Sequence, residues 1–264
     1  MARVRLDDEL VAQGICRDRA QALRLILAGS VSAEGERLSS AGMLVRPGLS
    51  LHVKTKLPYV GRGGLKLEGA LDGFGLSPAG MNCLDIGCST GGFTDCLLKR
   101  GARSVIAVDV GKAQFDWNLR NDERVILLEK TNIRTVPTLG YHDIDFAVCD
   151  VSFTRISTIL PAVCELLSDA GIFVTLVKPQ FEAEVHEVGI GGVIRDPHVW
   201  HTVLARVINS FVDAGLIPMD ICVSPILGAK GNREYFLWGS CQAHLSADAV
   251  CARVSQLIEK GKQL

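Results

Sequence analysis

Lys66, Asp150, Lys178 and Glu234 are far apart in the chain, yet each sits in sharply punctuated sequence: Gly63-Gly64, Asp150-Val151-Ser152-Phe153, Lys178-Pro179-Gln180-Phe181 and Gly231-Asn232-Arg233-Glu234. Two amines and two carboxylates on one rim are groups suited to moving a proton and to orienting a weak nucleophile. A surface salt-bridge network would use the same residue types, and any one of the four alone is better read as structural. The chemistry therefore depends on whether the fold brings all four together.

A second chemical feature is the stretch Asp85-Ile86-Gly87-Cys88-Ser89-Thr90-Gly91-Gly92-Phe93, between a short apolar run and an amphipathic segment, 93–100. It reads as strand, glycine turn and helix. Three glycines in six residues let the backbone turn tightly and approach a ligand, and the helix N-terminus offers free N–H groups. Such a turn can hold a nucleotide-like cofactor or simply be a well-packed loop. The dinucleotide fingerprint Gly-x-Gly-x-x-Gly is absent, since Ser89 occupies the second glycine position, and a nicotinamide-dependent oxidoreductase is disfavoured.

The elements that must position these residues follow from periodicity. Apolar runs at 82–87, 104–109, 124–129, 144–149 and 171–177 alternate with amphipathic stretches, predicting an α/β, doubly wound, mostly parallel sheet. A helix over about 198–214 leads to strands at 220–226 and 234–238 joined by the loop 227–232, and Ser246 is placed to cap a final helix with Val250, Val254 and Leu257 inward. Ligands bind beyond the carboxyl ends of such strands. Asp150 and Lys178 follow two of them, Glu234 returns to the same edge, and Lys66 can reach it from the preceding helix, where its place near the N-terminus opposes the helix dipole. Asp109 ends the second strand, placed to accept hydrogen bonds from ribose hydroxyls; Asn132 after the third either borders an adenine or belongs to a plain turn.

Net charge is −1, but residues 1–66 hold 11 Lys and Arg against 6 Asp and Glu, while the remainder holds 17 against 23. The positive charge sits at the N-terminal end, as in a nucleic-acid-binding module. There, Leu6, Leu10 and Val11 predict one helix, and a second is capped by Asp18 with Ala20, Leu23, Ile26 and Leu27 inward; short strands broken by Gly35, Gly42 and Pro47-Gly48 follow. Residues 1–55 form this first domain, 56–62 a linker and 63–264 the larger domain. No apolar run reaches membrane-span length and the N-terminus lacks a signal core. Nine cysteines without metal-ligand spacing read as reduced thiols of a cytoplasmic protein with no metal.

Arg5-Leu6-Asp7, Gly14, Arg17, Arg19-Ala20, Leu25-Ile26, Gly29 and Val31 together resemble the RNA-binding fold named after ribosomal protein S4, over residues 3 to about 54. The resemblance implies RNA phosphate contacts by Arg3, Arg17, Arg19 and Arg24, with Arg62 of the glycine cluster a further candidate; a plain solvated arginine face is the alternative. Asp-x-Gly-x-x-x-Gly-Gly resembles the first motif of S-adenosylmethionine-dependent methyltransferases. The four punctuated segments, with Leu84-Asp85, Ser89 to Thr94, Ala107 to Gly111 and Gly191-Gly192-Val193, resemble the TlyA family, whose catalytic domain is FtsJ-like. That resemblance implies a Rossmann-like class I methyltransferase with a seven-stranded sheet and a small N-terminal α+β RNA-binding domain. It also implies ribosomal RNA 2′-O-methylation of cytidine, on the large and in some members the small subunit, with S-adenosylmethionine as cofactor.

On this basis the catalytic tetrad is Lys66, Asp150, Lys178 and Glu234, with Lys178 as the base; the cofactor is held by Asp85, Gly87, Ser89, Thr90, Gly91, Gly92, Phe93, Asp109, Val110, Asn132 and Asp150. The expected partner is ribosomal RNA within ribosomal subunits, met by a monomer without an obligate protein partner or membrane. The chain departs from the family at Lys112-Ala113, at Thr154-Arg155 in place of Ile-Ser, and at Ala183-Glu184 in place of Val-Gly. An RNA-binding assembly factor with an inactive methyltransferase-like domain is a competing reading. So is membrane lysis, because some relatives carry a haemolysin label, although this chain has no strongly amphipathic cationic helix.

Overall fold

The computed structural model describes residues 3–27, 29–53, 58–112, 114–189, 191–241 and 247–263. The chain divides into two compact units, Met1–Leu57 and Pro58–Leu264.

The first unit runs β1 (Val4–Arg5), α1 (Leu6–Ala12), α2 (Arg19–Leu27), β2 (Val31–Ala33), β3 (Glu36–Arg37), β4 (Leu44–Val45) and β5 (His52–Val53). β1 pairs with β4, and β3-β2-β5 make a second small sheet. Asp18 Oδ1 accepts from Gln21 N–H at 2.7 Å, the cap the sequence predicts. The inner face of α2 differs from expectation: Ala22 and Ile26 are buried against Leu6, Leu10 and Val31, whereas Ala20, Leu23 and Leu27 face out, Leu27 being 70% exposed. A helix this short carries too few apolar positions to fix its rotation; the partner core decides which i, i+4 pair turns in.

The second unit begins with α3 (Arg62–Phe74) and continues β6 (Asn82–Ile86), α4 (Gly92–Lys99), β7 (Ser104–Val108), α5 (Trp117–Arg120), β8 (Val125–Leu128), β9 (Ile144–Cys149), α6 (Leu160–Leu166), β10 (Leu167–Val177), α7 (Pro179–Glu182), α8 (Pro197–Asp213), β11 (Ile217–Val223), β12 (Tyr235–Ser240) and α9 (Ala247–Gln263). Its seven strands lie in the order β11-β12-β10-β9-β6-β7-β8, with β12 antiparallel to both neighbours. Alternation along each strand feeds two cores. Leu84, Ile86, Ala147 and Phe173 face one, with Val203, Val207 and Phe211 of α8; Cys83, Val105, Phe146 and Val174 face the other, with Leu67 and Leu71 of α3 and Leu97 of α4.

Two stretches differ from the sequence reading. β11 starts at Ile217 because Gly215, in a left-handed conformation, ends α8 early enough for Pro218 to enter at a sheet edge, where its missing N–H costs no ladder bond; a register shift follows. Residues 58–62, expected in a linker, are fastened to α4: Lys99 Nζ donates to Pro58 O at 2.5 Å and Val60 N–H donates to Asp95 Oδ2 at 2.9 Å. The linker residues 54–57, Ala113, Ser246 and the side chains of Val250 and Val254 lie outside the described residues; Leu257 is buried.

Candidate active site

Strand register gathers the site. Val177 of β10 pairs with Tyr235 of β12, which sets Lys178 and Glu234 side by side just past the strand ends. Thr175 pairs with Cys149 and Ile86 with Cys149, so Asp150 and Gly87 continue the neighbouring strands at the same edge. The four residues resolve into two ion pairs. Lys66 Nζ lies 2.5 Å from Glu234 Oε2, with side chains 12% and 2% exposed, and Lys178 Nζ lies 2.5 Å from Asp150 Oδ1, with side chains 11% and 22% exposed. Lys178 Nζ also donates to Ser152 Oγ at 2.9 Å. Lys66 thus tolerates its place in the first half of α3 because a buried carboxylate faces it. Removing one partner of such a pair strands the other charge, which costs more than the pair contributes.

The first turn of α3 packs on the glycine loop. A Cβ on Gly92 would meet Gly64 N at 3.1 Å, and one on Gly63 would touch the Phe93 ring at 3.3 Å and lie 3.9 Å from Asp150 Oδ2. Gly87 needs its φ of +81°, and a Cβ there would come within 2.8 Å of the Asp150 carbonyl oxygen. Ser89 and Thr90 are the exposed crest of the loop; Gly91, Gly92 and Phe93 are buried, the Phe93 ring 6.2 Å from that of Phe236. Those last three shape the loop from beneath, and the Phe93 side chain faces the core.

Asp109 accepts from Ser89 N–H at 2.8 Å and from Gly111 N–H at 2.6 Å, tying the loops after β6 and β7 together, with lone pairs left for a ribose. Val110 beside it is exposed, and Asn132 accepts from Arg134 N–H at 3.1 Å, so its side chain serves the turn it starts. Asp109 and Asp150 follow the strands on either side of β6, an acidic pair that suits a cationic, ribose-bearing cofactor, whereas Asp85, expected among the cofactor contacts, is turned into the core.

Asp85 is wholly buried; Thr94 Oγ1 donates to its Oδ2 at 2.6 Å and Oδ1 has no partner. Burial pushes its carboxyl up to about 7, opposed by the Thr94 hydrogen bond and reinforced by the Asp150 charge. A carboxyl raised on folding adds stability below its unfolded value near 4 and loses it as pH climbs through 7, by at most about 4 kcal/mol. Asp85→Asn should therefore gain stability relative to wild type between pH 5 and pH 8 in urea unfolding. Parallel pH profiles would show instead that folding leaves this carboxyl unshifted.

The sequence reading passed over several residues at this edge. Phe153 is 89% exposed at a φ of +62°, its ring 4.7 Å from that of Phe181, while Lys178 Nζ stands 5.9 Å from the Phe181 centroid. A large apolar ring held outward in a sparsely populated conformation is a signal that only coordinates reveal. Asn232 is buried: its Oδ1 accepts from Ile194 N–H and its Nδ2 donates to Gly192 O, clasping the loop before α8 to the turn that presents Glu234. Arg155 and Glu184, two of the positions where the chain departs from the pattern it resembles, are ion-paired at 2.9 Å.

In the first unit the candidate arginines lie on the surface, Arg3 and Arg24 among them. Arg19 is bidentate on Asp8 and Arg17 lies 3.3 Å from Asp18. Exposed pairs of this kind contribute little and exchange readily for phosphate. Arg62, in the second unit, donates to Leu227 O at 3.1 Å.

A sheet in this order, with its single reversed strand, is the Rossmann-like methyltransferase architecture; the loops after its parallel strands carry the glycine turn, Asp150 and Lys178, and α3 brings Lys66 to the same edge. Residues 59–241 match the model of the FtsJ-like methyltransferase family and residues 4–51 that of the S4 domain. The 16S/23S rRNA (cytidine-2′-O)-methyltransferase TlyA of Mycobacterium tuberculosis is 42% identical over 98% of each chain, and Hemolysin A of Brachyspira hyodysenteriae is 42% identical over 88% of this chain and 98% of its own. A solved structure from Streptococcus thermophilus, titled as a hemolysin, superposes with a TM-score of 0.72 at 39% identity, covering 100% of this chain and 97% of that one. The chain belongs to the TlyA family of FtsJ-like methyltransferases.

Proposed function

We infer that this protein transfers a methyl group from S-adenosylmethionine to the 2′-hydroxyl of a cytidine ribose in ribosomal RNA. The observation that carries the reading is the double ion pair, Lys66–Glu234 and Lys178–Asp150, at the strand edge beside the glycine loop. The cofactor supplies an electrophilic methyl on a sulfonium, and the carboxylates of Asp109 and Asp150 suit its charge. Once the Lys178 ammonium has released a proton to solvent, its Nζ takes the proton that the ribose oxygen gives up as it attacks, and the ammonium so restored stays against Asp150 Oδ1 and Ser152 Oγ. Lys66, held by Glu234 on the adjoining strand, orients the ribose, and in-line placement supplies much of the acceleration. The exposed ring of Phe153 is placed to stack on a target base turned out of the RNA. The arginines of the first unit grip phosphates and orient the substrate without reading its sequence.

In this reading the protein acts in the cytoplasm as a monomer on ribosomal subunits. Incubation of the protein and labelled S-adenosylmethionine with each unmodified subunit separately should place label on a cytidine ribose of the large subunit, and of the small one if both are substrates. Absence of transfer to either subunit would overturn the reading. The haemolysin names among the relatives motivate one control, dye leakage from liposomes. No helix among the described residues is long and apolar enough to cross a membrane, and no leakage is expected.

A further inference from the structure

Glu182 is a buried acid for which the chemistry above has no use. It is 4% exposed at the end of α7, its Oε1 accepts the Ile156 N–H at 2.7 Å, and its backbone carbonyl accepts from Arg206. The hydrogen bond is itself buried, and burial raises the carboxyl above the usual range. Ile156 opens the 3-10 turn Ile156–Thr158, so a side chain 26 residues away satisfies an N–H that the turn leaves unpaired.

What lies between the two ends of this link is the active edge. The loop 150–156 leaves β9 at Asp150, whose carboxylate holds Lys178, passes Ser152, which accepts from the same lysine, and turns outward at Phe153, whose ring rests on Phe181. The facing loop, 178–184, carries Lys178, Phe181 and Glu182. Near Asp150 the two loops are joined through Lys178; at the far end they are joined through Glu182 and Ile156. The second joint, at a residue whose own side chain is packed in the core, holds the far end of the loop that carries Ser152 and Phe153, the latter in a backbone conformation that its neighbours must enforce.

We propose that Glu182 is a positioning residue for methyl transfer: its buried hydrogen bond to Ile156 N–H fixes the loop 151–156 so that Ser152 and Asp150 hold Lys178 in its reactive place. The neighbouring Arg155–Glu184 pair spans the same two loops, but both side chains are more than 40% exposed and water competes for them. The buried neutral donor has no such alternative, so losing its acceptor leaves an orphaned N–H. Glu182 therefore carries the joint, and the outer pair adds little.

This inference rests on the methyltransferase reading, and its test separates the two. Glu182→Gln keeps a carbonyl oxygen for Ile156, whereas Glu182→Met fills the same volume without one. The expected result is a kcat within about twofold of wild type for Glu182→Gln and at least about tenfold lower for Glu182→Met, each with the cofactor Kd, by calorimetry, within about twofold. Amide exchange at Ile156 should be slow in wild type and Glu182→Gln and fast in Glu182→Met, a readout independent of catalysis. Glu184→Ala should leave kcat within about twofold. If Glu182→Met fails to fold, Glu182→Asp, whose shorter reach loses the same contact, takes its place. Wild-type kcat in Glu182→Met or Glu182→Asp, or equal loss in Glu182→Gln, overturns the proposal. An inactive wild type with protected Ile156 would instead overturn the functional reading.

Discussion

Lys178→Ala should lower methyl transfer by about a thousandfold or more while leaving S-adenosylmethionine affinity within about threefold. The asymmetry follows from position. Lys178 stands just past the end of β10 against Asp150 and Ser152, while the glycine loop and Asp109 lie beyond β6 and β7, on the far side of β9. Loss of the side chain removes both the amine that accepts the ribose proton and the ammonium that faces Asp150 before that proton is shed. Asp150 is 22% exposed, and truncation of Lys178 leaves room for water beside its buried Oδ1, so the charge is solvated and the fold survives at reduced stability. Lys178→Arg distinguishes a base from a mere positive charge, because arginine keeps the charge but does not shed a proton near neutrality. Single-turnover transfer and calorimetry on the same preparations decide the matter. An arginine variant within tenfold of wild type would assign Lys178 to charge placement, and an active alanine variant would remove it from the chemistry.

The edge that holds this lysine was legible in the sequence because it is built from local signals. Gly87 must adopt a positive φ, Asp109 must end an apolar run, and Lys178-Pro179 must stop a strand; each leaves a mark within a few residues. The pairing of the four charged residues was not legible in the same way. Strand register sets Lys178 beside Asp150 and Glu234, and the packing of α3 on the sheet turns Lys66 toward Glu234; both follow from the whole fold. Residues that act through distant partners escaped for the same reason. Glu182 looks like any acid in a short helix until Ile156 is placed beside it, and the pairing of Arg155 with Glu184 joins two changes that read as unrelated along the chain. The inner face of α2 was misplaced because nine residues with a weak apolar stripe allow more than one rotation.

Gly228→Ala should be the most damaging substitution outside the tetrad, lowering kcat by roughly ten- to a hundredfold although the residue carries no chemical group. Gly228 is buried in the turn between β11 and β12, where its N–H donates to Asn232 O at 2.9 Å. Its φ is not in the left-handed region, so alanine meets no backbone objection. The obstacle is spatial: a Cβ would come within 2.0 Å of Glu234 Oε1 and 2.4 Å of Cδ. The Glu234 carboxylate lies folded over this glycine, and it cannot move aside without leaving Lys66. Alanine therefore breaks the Lys66–Glu234 pair from the side, at a stability cost of about 1–3 kcal/mol for the overpacking. The attribution is tested by combining the change with Glu234→Ala. If the glycine acts by making room for the carboxylate, Gly228→Ala has no further effect on kcat once that carboxylate is gone, and the cycle is strongly non-additive. Additive losses would place the effect in the turn's own geometry, and a fully active Gly228→Ala would mean that Glu234 holds Lys66 in some other rotamer without loss.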